Sequence, residues 1–449
     1  MEIQSKSDSN KMSLFAAILV NINIMVGAGI YTNPPMMAAK AGGLSFLGWA
    51  LSSLIFLPLV FCISKASKLF PGEGSFYTYV KGGLGETSGF LAGWGYFLTY
   101  VSTMAFQTFC FRELFLKTVN IPTFNSHPIL FNILFFLSIY ILSLLTLKII
   151  SNIQSFLTIG KLLPIIIMFA FLLFLLLKGK LFNFTNLHSA DFSILDLQYT
   201  IPFTIFGFFG FESCCSISHL IKDGEKNASR SILIGFFATV LIYTMFNYGL
   251  IQTMGAENLA SSGTNEFITF LGITTPLLLQ LFGIIITTSI FMSLSGAIYG
   301  EVNAIGFILH SMAKQKIIFA PTLLSKINRN ARPYIAFFVQ LFLAFSLLTL
   351  INQKVILMAV TNLGFIFTQL LVAISIFIIF MRKKSYKDSI APIFAVLSCT
   401  ILGYYSWLEI GTPLNVIPFI VLLLIGLISF KFQTKKECPL RKVMPPHGA

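Results

Sequence analysis

The sequence predicts an all-α, polytopic membrane protein of twelve transmembrane helices, built as two five-helix units followed by two further helices. Three observations carry this reading. Of the 449 residues, 56% are hydrophobic and only 10% charged, at a mean hydropathy of +0.85, against roughly 25% charged in an ordinary globular domain. Apolar runs of about 20 residues, the length that crosses a hydrocarbon core, recur along the whole chain. Two of them, the first and the sixth, are interrupted by glycines at corresponding places.

The chain opens on a polar tail over residues 1–12. Its first eleven residues, MEIQSKSDSNK, lack the apolar core and small-residue cleavage site of a signal peptide, so the first apolar run is read as retained. Runs begin near residues 13, 44, 88, 128, 152, 199, 229, 275, 332, 353, 390 and 413. They group into a first five-helix unit over 13–178, a second over 199–381, a final pair over 390–432 and a basic tail over 433–449. An even number of spans puts both ends on one side, and cations in the connecting segments say which side. With the N-terminus inside, 23 of the 30 lysines and arginines fall in inside segments and six outside, while Lys161 lies within a span. Both termini are therefore expected in the cytoplasm, with the protein in the plasma (inner) membrane. Topology thus accounts for the net charge of +14. A nucleic-acid partner would require the cations to gather on one folded face, and none is expected.

Metal and cofactor chemistry find little support. Cys62, Cys110, Cys214, Cys215 and Cys399 lie in apolar segments and Cys438 in the tail, with no disulfide or zinc spacing. His127, His188, His219, His310 and His447 are too dispersed for a metal cluster. A membrane enzyme would need a nucleophile with its base; Cys214 and Cys215 beside Glu212 are the nearest approach, and no orienting histidine accompanies them. Neither repeated polar faces nor a filter motif marks a channel. No cofactor, no metal and no enzymatic activity are expected.

The first break reads NIMVGAGIYTNPP, residues 23–35, with Gly27, Ala28 and Gly29 ahead of Pro34 and Pro35. The second reads FGFFGFES, with Gly207 and Gly210 ahead of Glu212. Backbone groups freed at membrane depth are tolerated where they face a cavity or ligand. A half-helix N-terminus offers N–H groups and the positive dipole end to a carboxylate, and freed carbonyls suit an ammonium group. A zwitterion satisfies both. Glycines that merely permit close helix packing are the competing reading, and the second break, in the matching span, favours the site.

These stretches resemble the amino acid, polyamine and organocation (APC) transporter superfamily. The resemblance also covers FPGEGSFYTYVKGGLGETSGFLAGWGYFLTY at 70–100, NIQSFLTIGKLLP opening the fifth span, IKDGEKNASRSI after the sixth and MAKQKIIFAPTLLSKINRNARP after the eighth, in the same order from about 13 to 335. It implies a LeuT-like inverted repeat, alternating access, and amino acids or their amine derivatives as substrates. Carried across residue by residue, the backbone of Gly27, Ala28 and Gly29 holds the carboxylate, Ile24 lines the pocket, the backbone at Phe206 and Gly207 receives the amino group, and the Phe206 ring serves as a gate. Trp94 and Tyr96 are read as packing.

Ionisable groups inside spans cost at least about 2.5–3.5 kcal/mol at the bilayer centre unless paired or hydrated. Glu212 is one; in the arginine and agmatine exchangers the motif resembles, the matching acid couples protons to gating. Lys161 is another, and the resemblance implies that it supplies the charge a sodium ion supplies in sodium-coupled relatives, so transport is expected to be sodium-independent. Glu301, in the eighth span, has no motif match and is read as a pocket carboxylate for a cationic substrate or an exposed helix residue. Lys65 and His219 stand where relatives usually carry acids, which implies rearranged or absent ion pairs near the cytoplasmic face. The resemblance leans towards basic amino acids or their amines exchanged by antiport, and a Phe-rich pocket equally suits a neutral amino acid carried with protons. A non-transporting sensor on the same fold is the alternative from another class. The lipid bilayer, a small-molecule substrate and protons are the expected partners of a monomer or homodimer.

Overall fold

A computed structural model describes residues 12–70, 76–119, 121–179, 192–212, 221–271 and 275–441, with the side chains of 224–225 and 434–441 left aside. His188, Cys214, Cys215, His219 and His447, with residues 1–11 and 442–449 of the two tails, lie outside this description, as does the side chain of Cys438. The described chain is almost wholly helical. Its helices include α1 (Leu14–Met25), α2 (Gly29–Ala41), α3 (Leu47–Leu69), α4 (Phe76–Leu84), α5 (Glu86–Val119), α6 (Pro128–Ser143) and α7 (Leu147–Leu177), then α8 (Ile201–Gly207), α9 (Gly224–Met254), α10 (Pro276–Lys314), α11 (Tyr334–Leu350), α12 (Lys354–Arg382), α13 (Tyr386–Leu408) and α14 (Ile417–Arg441), with shorter turns of helix at Pro122–Ser126, Ala256–Ser262 and Pro321–Leu324. A helix starts within five residues of every apolar run expected from the sequence.

Fewer helices meet the plain criterion for crossing a bilayer. Among the described residues seven are both long and apolar enough, or eight if α1 and α2 form one span bent by 51°. Physical reasons separate the rest. At 34 residues, α5 is ample in length, but it carries buried Thr99, Ser102, Thr103, Gln107, Thr108 and Arg112. The helices α6 and α11 have only 16 and 17 residues, and α8 stops after seven.

Two compact units emerge, each with its own core. The first comprises residues up to 75, 152–297 and 376–409. Within it α9 packs on α3 and α1, α13 packs on α3, and α8 touches α2, α3 and α13. Its centre is aromatic: Trp49, fully buried, lies 4.5 Å from the Tyr243 ring, and Phe56 lies tilted at 5.3 Å from Phe208 and stacks at 6.1 Å on Phe236. Such pairs add about 0.5–1.5 kcal/mol beyond the area they bury. Lys65 on α3 forms an ion pair of 2.9 Å with Asp388 on α13.

The second unit comprises 76–151, 298–375 and 410 onward. Here α5 is the shared partner of α4, α11 and α14, with α6 against α11. Trp94 of α5 is buried, stacks on Phe97 at 5.0 Å and donates Nε1–H to the Leu422 carbonyl at 3.0 Å. Tyr96 stacks on Phe76 at 4.3 Å, so both rings pack as the sequence reading has them. The Arg332 guanidinium donates to Asn303 Oδ1 at 2.7 Å, and Asn328 and Asn330 both donate to the Leu144 carbonyl, tying the segment before α11 to the end of α6.

Candidate functional site

The first break is built by chain chemistry on both sides. Ser13 caps the start of α1 by accepting from the Ala16 amide. The helix ends where Val26 N–H returns to Ile22 O at 2.8 Å and Gly27 N–H to Met25 O at 2.8 Å. The ladder restarts with Tyr31 and Thr32 N–H on the Ala28 carbonyl, so Gly29 and Ile30, the first residues of α2, have N–H groups without an acceptor inside their own helix. Those two amides stand at the positive end of the α2 dipole.

Carbonyls freed at the break are taken up by side chains from other elements. Lys161 on α7, itself buried, donates Nζ–H to Asn23 O at 2.7 Å, and Tyr243 on α9 donates to Met25 O at 2.6 Å. Proline interrupts the ladder again further on, because Pro35 has no N–H for the Tyr31 carbonyl four residues earlier. Thr264 fills that place, donating its hydroxyl to Tyr31 O at 2.8 Å. The Tyr31 hydroxyl in turn donates to the main-chain oxygen of Lys161.

The second break meets the first. Helix α8 ends at Gly207, and the chain passes through turns over 208–212 in which Gly210 adopts φ +95°, a conformation that L side chains rarely take. A Cβ added at Gly29 would stand 3.0 Å from the Gly207 Cα. The backbones of the two breaks therefore lie close together at Gly29, while a Cβ at Gly207 would run into the rings of Trp49 and Tyr243. The Ile24 side chain lies against Gly210 and is 44% exposed, and Asn33 of α2 donates Nδ2–H to the Phe203 carbonyl of α8 at 2.7 Å. Phe206 is buried with its ring 5.6 Å from Phe209, and Glu212, the last residue of those turns, is buried.

Of the residues singled out from the sequence, Ile24, Gly27, Ala28, Gly29, Lys161, Phe206, Gly207 and Glu212 all belong to the first unit. Glu301 belongs to the second, where Gln107 of α5 donates to its Oε1 at 2.9 Å. Sequence reading passed over Tyr31, Asn33, Tyr243 and Thr264. Asn33 carried a usable signal, a polar residue inside the broken span, whereas Tyr243 and Thr264 are matched to their carbonyls only by the fold. Among the described residues no group of three His, Cys, Asp or Glu gathers to hold a metal. Chemically the site is a pair of interrupted helices with free amides at the start of α2, carbonyls held by Lys161, Tyr243 and Thr264, and the buried ring of Phe206 on α8.

Comparison with known proteins gives this geometry a family. The model of the amino acid permease family matches residues 12–430. The chain is 24% identical over 393 residues to the serine/threonine exchanger SteT of Bacillus subtilis, covering 86% of each chain. It is 25% identical to an arginine/ornithine antiporter of Pseudomonas aeruginosa, over 73% of this chain and 68% of the relative. A glutamate/serine transporter of Bacillus subtilis, AimA, is 22% identical over 95% of this chain and 82% of its own length. The chain belongs to the amino acid permease family, a family of membrane transporters and not of enzymes.

Proposed function

We propose that this amino acid permease moves zwitterionic amino acids, or amines derived from them, by alternating access and without sodium, driven by exchange or by protons. The observation that carries the reading is the main-chain approach of Gly29 to Gly207, which joins the two broken spans at one point. On this reading the carboxylate lies on the amides of Gly29 and Ile30 beside Gly27 and Ala28. The amino group faces the backbone at Phe206 and Gly207, Ile24 lines the pocket, and the Phe206 ring covers the ligand. Relatives named for serine and threonine, for arginine and ornithine, and for glutamate handle side chains of every charge, and a site made of main-chain groups recognises what those substrates share. Lys161 takes the place of a sodium ion by holding the Asn23 carbonyl, and Glu212 carries the coupling proton.

The finer architecture follows the same proposal: twelve spans, an inverted repeat over 13–178 and 199–381, two added helices, and both termini in the cytoplasm at the plasma (inner) membrane, as a monomer or homodimer. What supports the repeat is that each compact unit draws matching pieces from both halves, α1–α3 with α8 and α9 in one, α5 and α6 with α11 in the other.

Uptake of a panel of radiolabelled amino acids into proteoliposomes tests the reading, with vesicles empty or preloaded with arginine, agmatine, glutamate or alanine, at two pH values and without sodium. Uptake only into preloaded vesicles identifies an exchanger, and uptake into empty vesicles under a pH gradient a proton symporter. Saturable binding with no uptake in any arm would refute transport and leave a sensor.

A further inference from the structure

The second unit contains a buried polar cluster that the substrate reading does not use. Gln107 on α5, Glu301 on α10 and Gln340 on α11 meet there. Gln107 donates Nε2–H to Glu301 Oε1 at 2.9 Å, and Gln340 donates to the main-chain oxygen of Glu301 at 3.4 Å. Three buried oxygens are left without any donor: Glu301 Oε2, Gln107 Oε1 and Gln340 Oε1. A buried acceptor without a partner costs about 1–3 kcal/mol, and more when it is charged. One hydrogen shared by Glu301 Oε2 and Gln107 Oε1 would answer two of the three, and Gln340 Oε1 is not part of that pairing.

Among the described residues no lysine or arginine forms an ion pair with Glu301. The charged groups on the three helices have their own partners or lie towards helix ends: Arg112 donates to Asn132 and Asn352, Glu113 pairs with Lys354 at 3.1 Å, Glu86 with Lys81 at 2.9 Å, and His310 Nδ1 lies 3.2 Å from the Leu324 carbonyl. Lys117 and Lys314 are exposed near the ends of α5 and α10, and α11 carries no charged residue. Amide and carboxyl groups, by contrast, have a natural way to pair. The amide N–H goes to one carboxyl oxygen, the acid O–H returns to the amide oxygen, and a ring with two hydrogen bonds closes. Half of that ring is present here, and one proton supplies the other half. Turning the Gln107 amide over does not remove the requirement, since an amide oxygen would then stand 2.9 Å from Glu301 Oε1 and still need a hydrogen between them.

We propose that Glu301 is a resident proton-binding site of the second unit, held as the neutral acid with its Oε2–H on the Gln107 amide oxygen. Glu301 is then a carboxylic acid paired with an amide, and its ligand is the proton. This site is separate from Glu212 and needs no substrate to be occupied.

Infrared spectroscopy on the purified protein in liposomes reads the proton directly and does not require transport. At neutral pH the wild type should show the carbonyl band of a protonated carboxyl, shifted when water is exchanged for D2O. The band should persist in Glu212→Gln and vanish in Glu301→Gln, whose amide can form the same two-bond ring and so keeps the packing. Gln107→Leu should move the band to the position of an acid with no hydrogen bond. If Glu301→Gln removes only carboxylate bands, the acid is ionised and the proposal is overturned. Should that variant fail to fold, Gln107→Leu decides alone, and a protonated-carboxyl region unchanged by it also overturns the proposal.

Discussion

One methyl group added at Gly29 should push the two broken helices apart. In Gly29→Ala the new Cβ would stand 3.0 Å from the Gly207 Cα and 3.2 Å from Asn33 Nδ2. Carbon atoms rest at about 3.5–4.0 Å, so the neighbouring backbone must give by a few tenths of an ångström. The nearest atom is main chain, and no rotamer change relieves it. Overpacking of this kind costs about 1–3 kcal/mol, and Gly29, as the first residue of α2, is not an interior glycine whose replacement would offset it. Gly207→Ala should cost more, towards about 3 kcal/mol, because its Cβ would lie 2.5 Å and 2.6 Å from ring atoms of the fully buried Trp49. Gly27→Ala behaves differently: its nearest neighbours stand at 3.8 Å and 3.9 Å, ordinary contact distances. Its stability should change by less than about 0.5 kcal/mol, while a methyl group at the break obstructs the ligand and lowers affinity at least tenfold, or about 1.4 kcal/mol. Gly283→Ala, with nothing within 4 Å, is the control and should gain about 0.5–1 kcal/mol. Thermal unfolding in detergent together with substrate binding separates the effects. Equal unfolding temperatures for Gly27→Ala and Gly29→Ala would refute the tight apposition of the breaks.

Three further outcomes are expected. Lys161→Met keeps much of the side-chain volume and removes the donor to Asn23 O; a hydrogen bond to a charged group is worth about 1.5–3 kcal/mol, and turnover should fall more than expression or folding. Normal sodium-free uptake by this variant would end the sodium-replacement reading. Glu212→Gln should flatten the pH dependence of transport, and a pH profile that survives intact would remove Glu212 from coupling. In the charge swap Lys65→Asp with Asp388→Lys, each single change should destabilise and the double change recover, with a coupling of about 0.2–1 kcal/mol because the pair is partly exposed, at 29% and 47%. A double variant no more stable than the singles combined would show that the pair does not couple.

Much of this was legible in the sequence because lipid imposes a coarse rule that apolar runs obey. A helix starts within five residues of each apolar run, and the helix break at Gly27–Gly29 followed from glycine chemistry. What the sequence could not supply was partnership. Lys65 stood out as a missing acid, yet its partner Asp388 lies 323 residues away. Glu301 stood out as an acid in a span, while Gln107, equally polar in an equally apolar run, was passed over because an uncharged amide raises no alarm. The end of α8 was marked in the same way, since FGFFGFES carries Gly207, where the helix stops, and Gly210, where φ +95° turns the chain away. Local pattern decides which residues leave the ladder; tertiary contact decides which groups receive the freed carbonyls.

The hydroxyl of Thr264, the carbonyl and hydroxyl of Tyr31, the main chain and ammonium of Lys161, and the carbonyl of Asn23 form a line of three hydrogen bonds. Mechanically they act in series. Swinging α2 pulls on the Lys161 peptide through Tyr31, and the same lysine holds α1 through its side chain, so α7 serves as a fulcrum to which both arms are fastened. A tug on the segment Thr264–Phe270 is therefore shared along the line, and neither arm moves without loading the other.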